Sequence, residues 1–209
     1  MKIAVVASNG KASRAIVAEL IARGHEVTGF ARSENKSAAQ NFVQKDIMAL
    51  SKEDLAGFDA VVDGFGAYTP ETLPLHTRTS QHLADLVAGT VTRLYIVGGA
   101  GSLYVDAEHR VQLLDTPEFP AEFYPLAKAQ TEELAALRSR ADAKWVFVSP
   151  AADFRADGEK TGQYILGGEE LTLSGAGESI ISYADYAVGM ADLIESGAHI
   201  GERVSLVQA

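Results

Sequence analysis

The sequence predicts an α/β domain built on a doubly wound, mostly parallel sheet, and three observations carry that expectation. Short Val- and Ile-rich runs alternate along the chain with longer segments whose apolar residues recur every three or four positions. Several of the short runs are apolar throughout rather than alternating, as strands covered on both faces are. The first run passes at once into a turn containing Gly10 and then into a helical pattern, which is how a βαβ unit starts.

Taken in order, strands are predicted over residues 3–7, 26–31, 41–44, 60–64, 93–97 and 145–149, each a β-prone run bounded by turn residues or by a helical pattern. Crossover helices are predicted over 12–23, 75–88 and 125–140 from their apolar stripes. Right-handed crossovers then favour the strand order 3-2-1-4-5-6, with a crevice beside strand 1 where the order reverses. Beyond Pro150 the chain turns glycine-rich, with an extended stretch near 163–166, a helical run over 185–195 opened by Asp185 as its cap, and a last strand over 202–207 expected to close the sheet. One Rossmann-type domain spanning 1–209 is expected, with residues 151–185 forming a small substrate lobe.

Composition narrows the function. The chain has 209 residues, 47% of them hydrophobic, enough for one well-buried core. The absence of cysteine removes thiolate catalysis, thiolate metal sites and disulfides, and suits a reducing compartment, so a cytoplasmic location is expected. A formal net charge of -10 without any Lys/Arg cluster argues against broad binding to nucleic acid or to an anionic membrane. The five histidines show no metal-ligand spacing, and no metal is expected.

The loop Ala7-Ser8-Asn9-Gly10-Lys11-Ala12-Ser13 is the most informative segment. A dinucleotide diphosphate needs free backbone N–H groups, a positive helix end and small side chains for close approach. This loop offers all three, although the pattern G-x-x-G-x-x-G keeps only its middle glycine, with Ala7 and Ser13 in the outer places. The alternative is an ordinary strand-to-helix turn capped by Ser8 or Asn9. The second strand ends Phe30-Ala31-Arg32-Ser33, without the carboxylate that would face the ribose hydroxyls of NAD. Arg32, with Lys36 and Lys11, suits a 2'-phosphate instead, unless Arg32 is a plain solvated arginine. NADP(H) is therefore the expected cofactor, with NAD(H) the alternative. Asp46 and Ile47 are placed against the adenine. Gly64-Phe65-Gly66-Ala67 and Gly98-Gly99-Ala100-Gly101-Ser102 add two glycine loops at the same sheet edge.

These residues, together with Arg23-Gly24-His25-Glu26-Val27-Thr28, Phe119-Pro120 leading to Tyr124, Ser149-Pro150-Ala151, Lys160-Thr161-Gly162-Gln163-Tyr164 and residues 179–187, resemble the atypical short-chain dehydrogenase/reductase superfamily. They resemble in particular its NmrA-like group, whose members are often called NADH-flavin reductases. The resemblance covers nearly the whole chain. It implies a Rossmann core, NAD(P)H as cofactor, Pro150 and Ala151 beside the nicotinamide, and a flavin or quinone-like acceptor.

Tyr124 and Lys128 stand four apart, a spacing that puts a phenol and an ammonium on one helical face, where the lysine would favour the phenolate. Tyr124 is then the candidate proton donor, with Ser102 as a helper hydroxyl. Because Pro125 follows it, Tyr124 is expected at the N-cap. The alternative is an exposed tyrosine and a surface lysine. Phe65, Tyr68, Tyr104, Phe119, Phe123 and Tyr124 are expected around the crevice, either stacking on a flat acceptor or packing beneath loops. The expected partner is a small-molecule acceptor, for a monomer or homodimer. Two rival readings are a non-catalytic NADP(H)-sensing regulator and a nucleotide-sugar epimerase or dehydratase.

Overall fold

The computed structural model describes residues 1–209. Its elements run β1 (Lys2–Val6), α1 (Lys11–Ala22), β2 (Glu26–Ala31), β3 (Asn41–Gln44), β4 (Ala60–Asp63), α2 (Leu75–Val87) and β5 (Arg93–Val97). They continue with α3 (Tyr124–Arg138), β6 (Lys144–Pro150), β7 (Asp153–Arg155), β8 (Tyr164–Gly167), β9 (Ile180–Ser182), α4 (Tyr183–Ser196) and β10 (Glu202–Gln208). The main sheet has the order β3-β2-β1-β4-β5-β6-β10-β8, so its first six strands take the predicted doubly wound arrangement. All its pairings are parallel except that of β8 with β10.

Alternation along each central strand feeds two separate cores, as two-sided burial requires. Ile3 and Val5 belong to the layer shared with α1 and α4, whereas Ala4 and Val6 belong to the layer shared with α2 and α3. α1 turns Ile16, Val17 and Leu20 inward, and α4 is buried along most of its length. The two helices are tied at their ends by Arg23, whose guanidinium meets Glu19 at 2.9 Å and Glu195 at 2.9 Å.

Three expectations need correction. β10 does not close the sheet: residues Arg203 to Val207 are buried, so the strand needs a neighbour on each side, and β8 covers it as the antiparallel edge. Tyr124 is not the N-cap of α3 but its first residue, with Phe123 in the cap place and Pro125 in the first turn. Asp185 does not cap α4. That role falls to Ser182, whose hydroxyl accepts the Asp185 N–H at 2.9 Å.

The Asp185 carboxylate, fully buried, is thereby free to hold a different segment. It accepts the N–H of Gly162 at 2.7 Å and both the N–H and hydroxyl of Thr161 at 2.9 Å. β7 and β9 form a separate parallel pair after the end of β6, with Asp153 and Arg155 bridged at 2.7 Å. On the far edge the side chain of Arg203 is completely enclosed. It donates to the Glu169 carboxylate at 2.6 Å and to the Ser102 carbonyl at 3.2 Å.

Candidate functional site

The C-terminal ends of β1, β2, β4, β5 and β6 all open on one edge, and the loop after β1 lies at its centre. Ala7 adopts φ +55°, the left-handed region that glycine occupies without strain. The turn closes with Gly10 donating its N–H to the Ala7 carbonyl at 3.1 Å, and Gly10 becomes the N-cap of α1. Neither Ser8 nor Asn9 caps the helix. No side chain does, and no acidic residue occupies the first turn. The early N–H groups of α1, on Lys11, Ala12 and Ser13, thus carry the positive end of the helix dipole uncapped toward the crevice.

The neighbouring side chains are small and turned inward. Ser8 is buried with its N–H and its hydroxyl directed at the Phe30 carbonyl, at 3.1 and 3.4 Å. Ser13 is buried too, its hydroxyl 3.5 Å from the Gly64 carbonyl. A Cβ on Gly64 would collide with that same hydroxyl, so the Ser13 side chain of α1 packs directly on the backbone of the loop after β4. A bare helix start, no competing carboxylate and close-packed small residues suit a diphosphate bridge.

Asn9 does what the sequence did not suggest. Its amide donates to the Ser33 hydroxyl at 3.1 Å and the Glu34 carbonyl at 2.9 Å, and accepts the Lys36 N–H at 2.8 Å. The segment after β2 is thereby folded onto the first loop, carrying exposed Arg32 and Lys36 with it. Neither forms an ion pair with the protein's own carboxylates.

The other predicted residues differ in their surroundings. Asp46 caps a short 3-10 turn, accepting the Met48 N–H at 2.8 Å, and Ile47 is buried in the core with Phe30 and Leu50. Pro150 ends β6 in register with Leu206, and Ala151 is buried behind it. Gly98 and Gly99 have packing reasons of their own, since a Cβ on either would collide with the Phe147 ring or the Gln130 amide. Phe65 lies edge-on to His76 with centroids 5.3 Å apart, whereas Gly66 is exposed beside Tyr68. Tyr104 stacks on His109 at 4.5 Å, an intramolecular packing of the kind expected as the alternative to stacking on an acceptor. Phe119 is half-buried, and Tyr68, Phe123 and Tyr124 stay exposed. Tyr124 and Lys128 share the first turns of α3, yet neither polar tip has a hydrogen-bond partner. Ser102 is buried five residues beyond β5.

Sequence reasoning missed the polar group behind the Gly64–Ala67 loop. Asp63, the last residue of β4, is buried on the α2/α3 side and accepts the Phe65 N–H at 2.9 Å. His76 of α2 places Nε2 3.1 Å from the Ala67 carbonyl and Nδ1 3.8 Å from a Glu133 carboxyl oxygen of α3. Burial pushes the Asp63 carboxyl up to about 6. Burial, reinforced by the Asp63 charge, holds Glu133 well above the usual carboxylate range. The His76 imidazole is held below its usual value by burial. The only available signal was an Asp ending an apolar strand and a Glu in the apolar stripe that includes Leu134 and Leu137.

Comparison with known proteins gives a consistent picture. The chain is 57% identical to SP1627 of Streptococcus pneumoniae TIGR4, a candidate NADH-flavin reductase whose crystal structure covers 100% of both chains at a TM-score of 0.98. It is 41% identical to the uncharacterised protein YwnB of Bacillus subtilis over 99% of this chain and 98% of that one. A candidate epimerase from Bacteroides thetaiotaomicron is 33% identical over 99% and 96% of the two chains, with a TM-score of 0.86. A family model described as NAD(P)H-binding matches residues 8–196. The molecule with the bare α1 start and Asn9-clamped basic loop therefore belongs to the NAD(P)H-binding family of Rossmann-type proteins.

Proposed function

We propose that the protein is an NAD(P)H-dependent oxidoreductase that prefers NADP(H) and reduces a flat conjugated acceptor, flavin-like or quinone-like. The observation that carries this reading is the uncapped start of α1 beside Arg32 and Lys36, which Asn9 folds onto the same loop. In this reading the N–H groups of Lys11, Ala12 and Ser13 hold the diphosphate, and Arg32 reads the 2'-phosphate with its fork of donors. Asn9 positions Arg32, Gly10 and Gly64 leave room, and Gly66 and Ala67 border the path toward the β5 and β6 ends. Gly98, Gly99, Pro150 and Ala151 shape the floor of that path.

The bound nicotinamide supplies a hydride, and the chain's residues have only to orient the acceptor and keep water away. Exposed Tyr68, Phe123 and Tyr124 offer rings on which a flat acceptor can stack, and residues 151–185, apart from the β8 strand that joins the main sheet, contribute the small lobe over it. Tyr124 holds a transferable proton at its Oη, with Lys128 one turn along to favour its release.

One observation favours a second reading, that of a non-catalytic NADP(H)-responsive regulator: the Tyr124 hydroxyl and Lys128 ammonium are solvent-facing and engage nothing. Titration with NADPH and NADH, followed by addition of FMN, riboflavin or a quinone while the reduced-nicotinamide absorbance is monitored, separates the two. Oxidation of NADPH with at least one acceptor supports the reductase; tight binding with no oxidation supports the regulator. Arg32→Ala should weaken NADPH about tenfold, roughly 1.4 kcal/mol, and leave NADH nearly unchanged. Equal losses for both would refute the 2'-phosphate assignment.

A further inference from the structure

We propose that Asp63, His76 and Glu133 are positioning residues for the cofactor-facing Gly64–Ala67 loop, and that dinucleotide binding drives a proton onto Asp63. The inference rests on the dinucleotide reading above and adds a proton linkage to it.

Two anchors hold this loop from behind. At its start the Phe65 N–H is fixed by Asp63 Oδ1 at 2.9 Å. At its end His76 Nε2 lies 3.1 Å from the Ala67 carbonyl and 3.4 Å from the Ala67 N–H, so the imidazole meets that residue's backbone in either tautomer, while Nδ1 faces Glu133 at 3.8 Å. Each carboxyl keeps one oxygen, Asp63 Oδ2 and Glu133 Oε2, enclosed and without a hydrogen-bond partner. A purely structural carboxylate would have both oxygens satisfied, because an unpaired buried charge is costly.

The charged neighbours are few. α2 contributes His76 and α3 contributes Glu133, while no lysine or arginine pairs with any of the three. The loop itself adds no ionisable side chain between Gly64 and Ala67. The three residues do not form a metal-ligand group. A proton is the cation this cluster is built to take.

The loop they hold borders the diphosphate position. Gly10 sits against it, since a Cβ on Gly10 would lie 3.8 Å from the Gly64 carbonyl oxygen, and Ser13 reaches the same carbonyl. An anionic diphosphate bound there places negative charge across the loop from the already buried Asp63, and that repulsion favours protonated Asp63. By reciprocity, dinucleotide affinity falls as pH rises through the range in which free Asp63 ionises.

Calorimetric titration with NADP+, run at mildly acidic pH in buffers of different ionisation enthalpy, tests the proposal. Wild type should take up a substantial fraction of one proton more per bound NADP+ than Asp63→Asn, because the ligand's own 2'-phosphate contributes equally to both. If Asp63→Asn does not fold, difference infrared spectroscopy of wild type should show a protonated carboxyl band growing when NADP+ is added. Equal proton uptake by wild type and variant, or no such band, overturns the linkage while leaving dinucleotide binding intact. No binding of NADP+ by wild type would instead overturn the underlying reading, and this one with it.

Discussion

Asn9 accepts the backbone N–H of Lys36 through its Oδ1 at 2.8 Å, across 27 positions of sequence. A side chain in the diphosphate loop thereby sets the conformation of the segment that carries Arg32. Asn9→Ala should leave the fold intact, lower NADPH affinity about tenfold by loosening that segment, and change NADH affinity far less. Fluorescence titration with both nucleotides checks it. Parallel losses would show that Asn9 acts on the diphosphate instead.

Ala7 holds the left-handed backbone that glycine takes more easily. Replacing it with glycine removes roughly 1–2 kcal/mol of strain and returns about 0.4–1 kcal/mol of unfolded-state freedom. The expected net change runs from about zero to a gain of about 1.6 kcal/mol, read by urea denaturation. A clear loss of stability would mean that the methyl group contributes packing that outweighs its strain.

Asp185 secures Thr161 and Gly162 from a fully buried position. Asp185→Ala leaves those donors unpaired and should cost about 1–3 kcal/mol. It should also expose the 159–163 segment to limited proteolysis before the sheet unfolds. Cleavage at an unchanged rate would place the hold on that segment elsewhere.

Asp63 gives a stability signature separate from any ligand. Its folded-state carboxyl is raised from the ordinary 3.8 to about 6, so the folded state favours the protonated form. The associated stability is present below the unfolded value and is lost as pH rises from about 4 to about 6, an amount on the order of 3 kcal/mol at 1.4 kcal/mol per unit. Paired carboxylates such as Glu169, whose burial is outweighed by Arg203 and Arg138, slope the opposite way. The wild-type-minus-Asp63→Asn difference should isolate the Asp63 contribution in denaturation curves at several pH values. A difference that does not change with pH would refute it.

How far the sequence could be read depended on the range of the forces involved. The six-strand order was legible because each Val/Ile run is buried on both faces and each crossover has one hand. Helix ends came out within one or two residues. β8 was harder, because its edge position follows from what β10 needs, and no local pattern in Tyr164–Gly167 says so. In the crevice the first loop announced itself through Gly10 and its small neighbours. The Asn9 clamp, the Asp185 hold and the Asp63–His76–Glu133 group did not, since each joins residues far apart in sequence through contacts that leave no periodic trace. Gly98 and Gly99 carried an ambiguous signal, because a glycine that admits the Phe147 ring or the Gln130 amide looks the same in sequence as one that admits a phosphate.

The insertion of β10 between β6 and β8 has a consequence for how the chain assembles. In the finished sheet β8 touches no strand except β10, which is synthesised some forty residues later. On the ribosome the first six strands can dock as they emerge, while Tyr164–Gly167 must wait, unpaired, for the last strand to arrive.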